Sequence, residues 1–240
     1  MILGFQGTTL VNFPYQVASV IFLSDCNLHC AYCYNKSLVY PNRNNQPLST
    51  EYILKELEAR KGFITGVCIT GGEPTLYHFD LIKLIEEIKK VSSEFLIKVD
   101  TNGTRPDVIK NLIDNKLVDY LAMDFKTIPT EYRGLFSKYE VDEAIIESLN
   151  IVRSMGQNRY EFRVTVVRDL FDVTIAKGMS KHLMKEDQVY IQNFKFYGEE
   201  NHINTKMLPD IQLAAFTKKE IEVIAEPIIK KCSNVKFRNF

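Results

Sequence analysis

Six apolar runs of strand length, separated by segments with helical spacing, are the feature of this chain that most restricts its fold. The runs lie at residues 18–23, 65–70, 95–100, 120–124, 160–167 and 188–194. The helical segments lie at residues 50–60, 79–91, 106–115, 141–155, 173–183 and 217–231. This alternation predicts successive βα units in an α/β fold whose parallel strands are buried on both faces. Because six units are fewer than the eight that close a TIM barrel, we predict a partial (β/α)6 TIM-like barrel with parallel strands, laterally open.

Length and charge limit the kind of protein that this chain can be. It has 240 residues, of which 45% are apolar, and we predict a single domain over residues 1–240. The formal net charge is zero and no dense block of lysine and arginine is present, which argues against binding to nucleic acid or to an anionic membrane. No apolar run approaches the roughly 20 residues of a membrane-spanning helix, and residues 1–10 lack a secretory signal pattern. We therefore expect a cytoplasmic protein.

Three of the five cysteines fall in one short loop after the first predicted strand. Cys26, Cys30 and Cys33 supply three thiolates, one fewer than a closed tetrahedral metal site needs, so a cofactor or substrate can take the open position. An odd and crowded set of cysteines does not make a disulfide framework in a chain of this length. The alternative is a zinc site completed by His29 or a distant residue. We interpret the loop as a catalytic cluster loop.

Polar residues also follow the next three predicted strands. The second strand runs into Thr70-Gly71-Gly72-Glu73-Pro74, the third ends in Asp100-Thr101-Asn102-Gly103, and the fourth ends in Asp124-Phe125-Lys126. The carboxyl ends of parallel strands meet at one edge of the sheet, where α/β enzymes place their functional residues. We therefore expect these residues and the cysteine loop to form one site.

The order C-x-x-x-C-x-x-C, followed by Gly-Gly-Glu-Pro after the second strand, resembles the radical S-adenosylmethionine superfamily. The resemblance implies that Cys26, Cys30 and Cys33 hold a [4Fe-4S] cluster, whose open iron is chelated by S-adenosylmethionine. It further implies that reductive cleavage of S-adenosylmethionine gives a 5′-deoxyadenosyl radical, which abstracts a hydrogen atom. Such chemistry belongs to the cofactors, and the protein orients them and excludes competing reactions.

The same resemblance implies which residues bind S-adenosylmethionine. Gly71 and Gly72 would let the backbone approach the methionyl amine, and Glu73 and Pro74 would shape that turn. Tyr32 would lie beside the adenine. The remaining cofactor-binding candidates are Thr101, Asn102, Arg163, Gln192 and Asn193, the last three for the carboxylate, ribose or adenine edges of the nucleoside.

A narrower resemblance, to glycyl-radical-enzyme activases, extends through most of the chain. It is carried by Gly4-Phe5-Gln6, Asn12-Phe13-Pro14, Cys26-Asn27-Leu28-His29-Cys30, Tyr34-Asn35 and the D-T-N-G and D-x-K motifs. It implies that Asp100 and Asp124 help to hold a monovalent cation beside the methionyl carboxylate, and that Lys126 faces the substrate peptide. Carboxylates near an anionic ligand need a cation to offset the repulsion. Two residues depart from the pattern, since Tyr15 replaces a common glycine and Tyr34 a frequent histidine or tryptophan.

The narrower resemblance also implies partners. It is strongest to the activating proteins of anaerobic ribonucleoside-triphosphate reductase, so the expected partner is a glycyl-radical enzyme such as anaerobic ribonucleotide reductase. The substrate would be a glycine Cα–H of that partner, and the electron donor would be flavodoxin-like or ferredoxin-like. Candidate rims of the open mouth are residues 36–48, 128–139 and 198–208.

Simpler roles stay open for several of these residues. Asp100 and Asp124 could cap the helices that follow them, Lys126 could be an ordinary surface lysine, and Arg163 could be a structural ion-pair partner.

Two other functions also stay open. The same radical chemistry could act on a small molecule or a peptide, as in enzymes similar to 7-carboxy-7-deazaguanine synthase. A non-catalytic iron-sulfur or zinc protein is the third possibility. Cys68 and Cys232 fit buried or incidental thiols better than ligands, so the sequence contains no second cysteine cluster.

Overall fold

The computed structural model describes residues 1–41, 46–197 and 213–240. Within these residues, eight strands form one sheet in sequence order: β1 (Ile2–Thr9), β2 (Ala18–Leu23), β3 (Gly66–Gly71), β4 (Leu96–Thr101), β5 (Tyr120–Asp124), β6 (Tyr160–Val166), β7 (Gln188–Asn193) and β8 (Asn234–Arg238). β1 pairs antiparallel with β2, whereas β2 with β3, β3 with β4, β6 with β7 and β7 with β8 pair parallel. β1 and β8 stand at the two ends of this order, so the sheet is open. The predicted α/β fold is confirmed, and β2 to β7 are the six predicted strands.

The two end strands are absent from the prediction, and their composition explains why. β1 contains Gly4 and Gly7, which weaken a strand signal, and only its first and last residues are buried. β8 is also only partly buried, and its charged residues Lys236 and Arg238 interrupt any continuous apolar run. Strands at the end of a sheet are buried less than central ones and so carry a weaker pattern.

The six predicted helical segments are present among the described residues with shifted ends, and two short helices, Lys36–Val39 and Tyr132–Leu135, were not predicted. In chain order, the helices of the described residues are α1 (Lys36–Val39), α2 (Thr50–Glu58), α3 (His78–Val91), α4 (Pro106–Asp114), α5 (Tyr132–Leu135), α6 (Asp142–Arg153), α7 (Val173–Ser180), α8 (Lys218–Ile224) and α9 (Glu226–Lys231). The predicted helix over residues 217–231 is two helices, because Pro227 fits the first turn of α9 but not the interior of one long helix. Thr217 is the N-cap of α8 and forms a capping box with Glu220.

Two compact units divide the chain, and each has its own buried core. The first comprises Met1–Asn27, Asn35–Thr101 and Asp107–Ala122, and its fully buried side chains include Ile21, Ile69, Ile97, Leu81 and Ile85. The second comprises Leu28–Tyr34, Asn102–Pro106 and Met123–Phe240, and its buried side chains include Phe162, Val164, Ile191, Leu149 and Met179. The assignment of residues 1–240 to a single domain stays a prediction.

Some predictions concern segments at the margins of the described residues. The candidate rim at residues 198–208 lies outside them, as do residues 42–45 of the rim at residues 36–48. The rim at residues 128–139 contains a 3-10 turn, Pro129–Glu131, and α5. None of the described helices combines the length and the apolar content that crossing a membrane requires.

Candidate active site

The end of β2 and the turn after β3 are held together by their backbones. The Gly72 amide donates to the Leu23 carbonyl at 2.9 Å, and the Glu73 amide donates to the Asp25 carbonyl at 2.8 Å. A Cβ on Gly72 would lie 1.8 Å from the Asp25 carbonyl oxygen, and one on Gly71 would lie 2.2 Å from the Leu23 carbonyl oxygen. Gly71 also has a φ of +124°, which favours glycine. Both glycines are therefore required by the packing of the chain itself, and their predicted contact with the methionyl amine stays a prediction.

Asp25 fixes the start of the cysteine loop, and sequence reasoning missed it. Its φ of +63° is uncommon for a residue with a side chain. Its carboxylate accepts hydrogen bonds from the Tyr77 hydroxyl and, at 2.7 Å, from the Ser24 hydroxyl. Burial opposes ionisation of Asp25, but these two hydrogen bonds outweigh it and lower the pKa of the carboxyl group. The only sequence signal is the position of Asp25 next to Cys26, because Tyr77 lies far along the chain.

Glu73 and Thr101 join the turn after β3 to the end of β4. The Glu73 side chain is 1% exposed, and its carboxylate accepts hydrogen bonds from the Thr75 amide at 3.1 Å and from the Thr101 hydroxyl at 2.8 Å. Glu73 thereby caps the 3-10 turn Pro74–Tyr77, whose Pro74 is buried. Asn102 shapes the next loop in the same way, since its carbonyl oxygen accepts from the Thr104 amide at 3.0 Å.

Asp100 lies on β4 beside a buried lysine. Its side chain is 10% exposed and pairs with the ammonium group of Lys98, which is 2% exposed. The cap interpretation of Asp100 is wrong, because α4 begins only at Pro106. The interpretation of Asp124 as a helix cap is also wrong, because Ile128 is the N-cap of the helical turn that follows.

The second unit holds a cluster of three charged side chains, Asp124, Lys126 and Arg163. The Asp124 carboxylate accepts from Arg163 Nε at 2.8 Å and from Lys126 Nζ at 3.0 Å. Burial opposes the charge of Asp124, but Arg163 and then Lys126 outweigh it and lower its pKa to about 2. Burial likewise opposes the charge of Lys126, and the Asp124 carboxylate outweighs it and raises the pKa of the ammonium group. Lys126 is 10% exposed and so is not an ordinary surface lysine, and Arg163 is an ion-pair partner within the candidate site.

Aromatic side chains of the cysteine loop lie close to this charged cluster. Lys126 Nζ stands 6.0 Å from the centroid of the buried Tyr32 ring, and Tyr32 packs edge-on against Phe136. Tyr34, about half exposed, packs against Tyr197 with 4.9 Å between ring centroids. The contact of Tyr32 with adenine stays a prediction.

Gln192 and Asn193, which were predicted to contact the nucleoside, form hydrogen bonds within the protein at the end of β7. The Asn193 side chain accepts from the Phe216 amide at 3.0 Å and donates to the Phe216 carbonyl at 2.7 Å, which occupies both ends of its carboxamide. Gln192 accepts from Arg238, at 3.4 Å. The structure therefore gives Asn193 a role in holding the chain before α8, and its role in cofactor binding stays a prediction.

All five cysteines are thiols. Cys26 and Cys33 are half-buried, and burial raises the pKa of the buried Cys30 to about 12, although the charge of Lys126 opposes that rise. Within residues 1–41, 46–197 and 213–240, no three cysteine, histidine, aspartate or glutamate side chains converge as a ready-made metal site. Because metal ligation needs the thiolate, cluster binding would release a proton at Cys30. The ligand role of the three cysteines stays a prediction.

Comparison with known proteins decides the family. The family model of the Radical SAM superfamily matches residues 20–177, well over half of the chain. The chain belongs to the Radical SAM superfamily. A relative from Methanocaldococcus jannaschii, provisionally named a glycyl-radical enzyme activating enzyme, is 31% identical over 81% of this chain and 80% of its own length.

Two further comparisons add a second relative and the fold. A 7-carboxy-7-deazaguanine synthase of Thermococcus kodakarensis is 26% identical over 56% of this chain and 58% of its own length. The solved structure of TYW1 with a lysine-pyruvate adduct bound superposes with a TM-score of 0.59 and 17% identity, covering 95% of this chain and 76% of that one. That likeness supports the fold alone.

Membership of the Radical SAM superfamily implies a [4Fe-4S] cluster and S-adenosylmethionine. The donor set fits them, because three thiols on one short loop leave one iron for a further ligand. The first unit contributes Cys26 and the turn at Gly72, and the second contributes Cys30, Cys33 and the charged cluster around Asp124. That all of them form one site stays a prediction.

We predict that Gly72→Ala lowers the free energy of unfolding by at least about 3 kcal/mol, because the added Cβ meets backbone that cannot move aside. Urea denaturation of the metal-free protein measures this change in the free energy of unfolding. The control is Gly7→Ala, whose Cβ would meet only the movable end of the Arg60 side chain at 2.7 Å, and which should cost less than about 1 kcal/mol. Equal costs for the two variants would contradict the close packing of Gly72.

We predict that Asp124→Asn lowers the free energy of unfolding by about 2 kcal/mol at neutral pH, because two cations lose their shared partner. A carboxylate with a depressed pKa stabilises the fold above its unfolded pKa and loses that effect only as the pH falls toward about 2. The difference from the unsubstituted protein should therefore stay constant from about pH 8 to about pH 5. Asp114→Asn, in an exposed helix pair with Lys110, is the control with little expected change. A difference that shrinks over this range would show that the two cations do not hold Asp124.

Proposed function

We propose that this Radical SAM enzyme generates a glycyl radical on a partner enzyme. The observation that carries the proposal is the relative provisionally named a glycyl-radical enzyme activating enzyme, which aligns over 81% of this chain at 31% identity. The match covers 81% of this chain and 80% of the relative. The match to 7-carboxy-7-deazaguanine synthase covers only 56% of the chain at 26% identity.

The arrangement of the charged residues supports the proposal. When bound, the cluster would pass one electron to the sulfonium of S-adenosylmethionine and so supply the radical chemistry of the superfamily. Cys26, Cys30 and Cys33 would hold the cluster, and the buried Tyr32 would exclude water beside it. Asp124 holds Lys126 and Arg163 in place, so the cluster keeps two cationic side chains beside the cysteine loop.

The proposed partner is a glycyl-radical enzyme, and anaerobic ribonucleotide reductase is the first candidate because the sequence motifs are most similar to those of its activating proteins. A flavodoxin-like or ferredoxin-like protein would supply the electron, and the reaction would take place in the cytoplasm. The five cysteines contain no second cluster motif, so an external donor is the simplest source of the electron.

The decisive experiment mixes anaerobically reconstituted enzyme, reductant, S-adenosylmethionine and an anaerobic ribonucleotide reductase from the same organism. Electron paramagnetic resonance should show a glycyl radical, and Cys30→Ala should abolish it because one cluster thiolate is lost. A reductase whose radical glycine is replaced by alanine is the matched control.

The 7-carboxy-7-deazaguanine synthase-like alternative predicts a different result. If no glycyl radical forms on any glycyl-radical enzyme of that organism while S-adenosylmethionine is still cleaved, the activase proposal is wrong. Formation of 7-carboxy-7-deazaguanine, detected by mass spectrometry, would then establish the alternative.

A further inference from the structure

A buried lysine pairs with the aspartate at the end of β4. Lys98 and Asp100 are two residues apart on this strand, so their side chains point to the same face. Their ammonium and carboxylate groups are in direct contact, with the side chains only 2% and 10% exposed. Cys68, the register partner of Lys98 on β3, completes the group with its sulfur 3.8 Å from Lys98 Nζ. Asp100 is therefore neutralised from within the fold.

Asp124 is also neutralised by side chains. It has two cationic partners, Arg163 at 2.8 Å and Lys126 at 3.0 Å. Each of the two aspartates that the sequence motifs assign to a monovalent cation thus has its own lysine or arginine. The reason for expecting a bound cation was that carboxylates need a positive charge to offset repulsion from an anionic ligand, and that charge is already present.

The position of Lys98 decides what its ammonium group can do. A carboxylate that binds a monovalent cation must turn oxygen lone pairs toward it, and an ammonium group with three N–H donors uses the same lone pairs. A small cation and the Lys98 ammonium group would therefore compete for the Asp100 oxygen that Lys98 contacts. A cation bound through the other carboxylate oxygen would lie beside the Lys98 ammonium charge and be repelled by it, so these residues do not fit a cation at Asp100.

We propose that Lys98 is the built-in counter-ion of Asp100, a positioning residue that takes the place of a bound monovalent cation. The enzyme therefore works without potassium or sodium, and removal of the Lys98 ammonium group creates a cation site where none exists. The expectation of a cation at Asp100 rests on the resemblance to glycyl-radical-enzyme activases, and the test of this inference uses no partner enzyme.

The test compares the unsubstituted protein with Lys98→Met in potassium, sodium and choline chloride at equal ionic strength. The melting temperature of the metal-free protein is one readout, and cleavage of S-adenosylmethionine by the reconstituted enzyme is the other. Both should be the same in all three salts for the unsubstituted protein. Lys98→Met should melt roughly 10 °C lower in choline, because a buried carboxylate loses its partner, and potassium or sodium should recover part of that loss.

Two controls separate this role from a merely structural one. Lys110→Met removes a lysine from an exposed helix pair with Asp114 and should give neither the loss nor the response to salt. If Lys98→Met does not fold, Lys98→Met with Asp100→Asn removes the unpaired charge and should fold without a response to potassium.

Three results would overturn the proposal. The first is loss of S-adenosylmethionine cleavage when choline replaces potassium in the unsubstituted enzyme. The second is a Lys98→Met protein whose melting temperature is the same in potassium, sodium and choline. The third is a double variant that is no more stable than Lys98→Met. None of these measurements uses a partner enzyme, so their failure is distinct from failure of the activase proposal.

Discussion

The close backbone contact between the end of β2 and the turn after β3 is the constraint on which the candidate site depends. Gly72 lies so near Asp25 that no side chain fits between them, and two backbone hydrogen bonds tie the segments together. The cysteine loop begins at the next residue, Cys26. The direction in which that loop leaves the sheet is therefore set by a contact that involves no cofactor.

Electrostatic pairing within each unit is the second organising feature. Lys98 neutralises Asp100 in the first unit, and Arg163 with Lys126 neutralises Asp124 in the second. Buried charges persist only when they are paired, so each pair restricts the conformations that its strand end can adopt. Substitution of one partner leaves the other charge buried and unpaired. The stability of the fold is therefore sensitive to substitution at these positions.

The sequence pattern was sufficient for the central strands but not for the ends of the sheet. Strands β2 to β7 are buried on both faces and therefore read as continuous apolar runs, whereas β1 and β8 are partly exposed and do not. Among site residues, the motifs found Asp124, Lys126 and Arg163, which the structure brings together. Asp25 was missed because its partner Tyr77 is distant in sequence. Lys98 was missed because the sequence alone does not show that this lysine is buried. Asn193 was predicted to contact the nucleoside because it ends a strand. The sequence did not show that its carboxamide bonds to the Phe216 backbone, and the nucleoside contact stays a prediction.

A crystal structure of the enzyme, loaded anaerobically with iron, sulfide and S-adenosylmethionine, tests the cofactor assignment most directly. The predicted result is a [4Fe-4S] cluster bound by the Sγ atoms of Cys26, Cys30 and Cys33, with S-adenosylmethionine on the remaining iron and Lys98 still paired with Asp100. A metal held with His29 as its fourth ligand, or a cluster bound through any other cysteine, would contradict it.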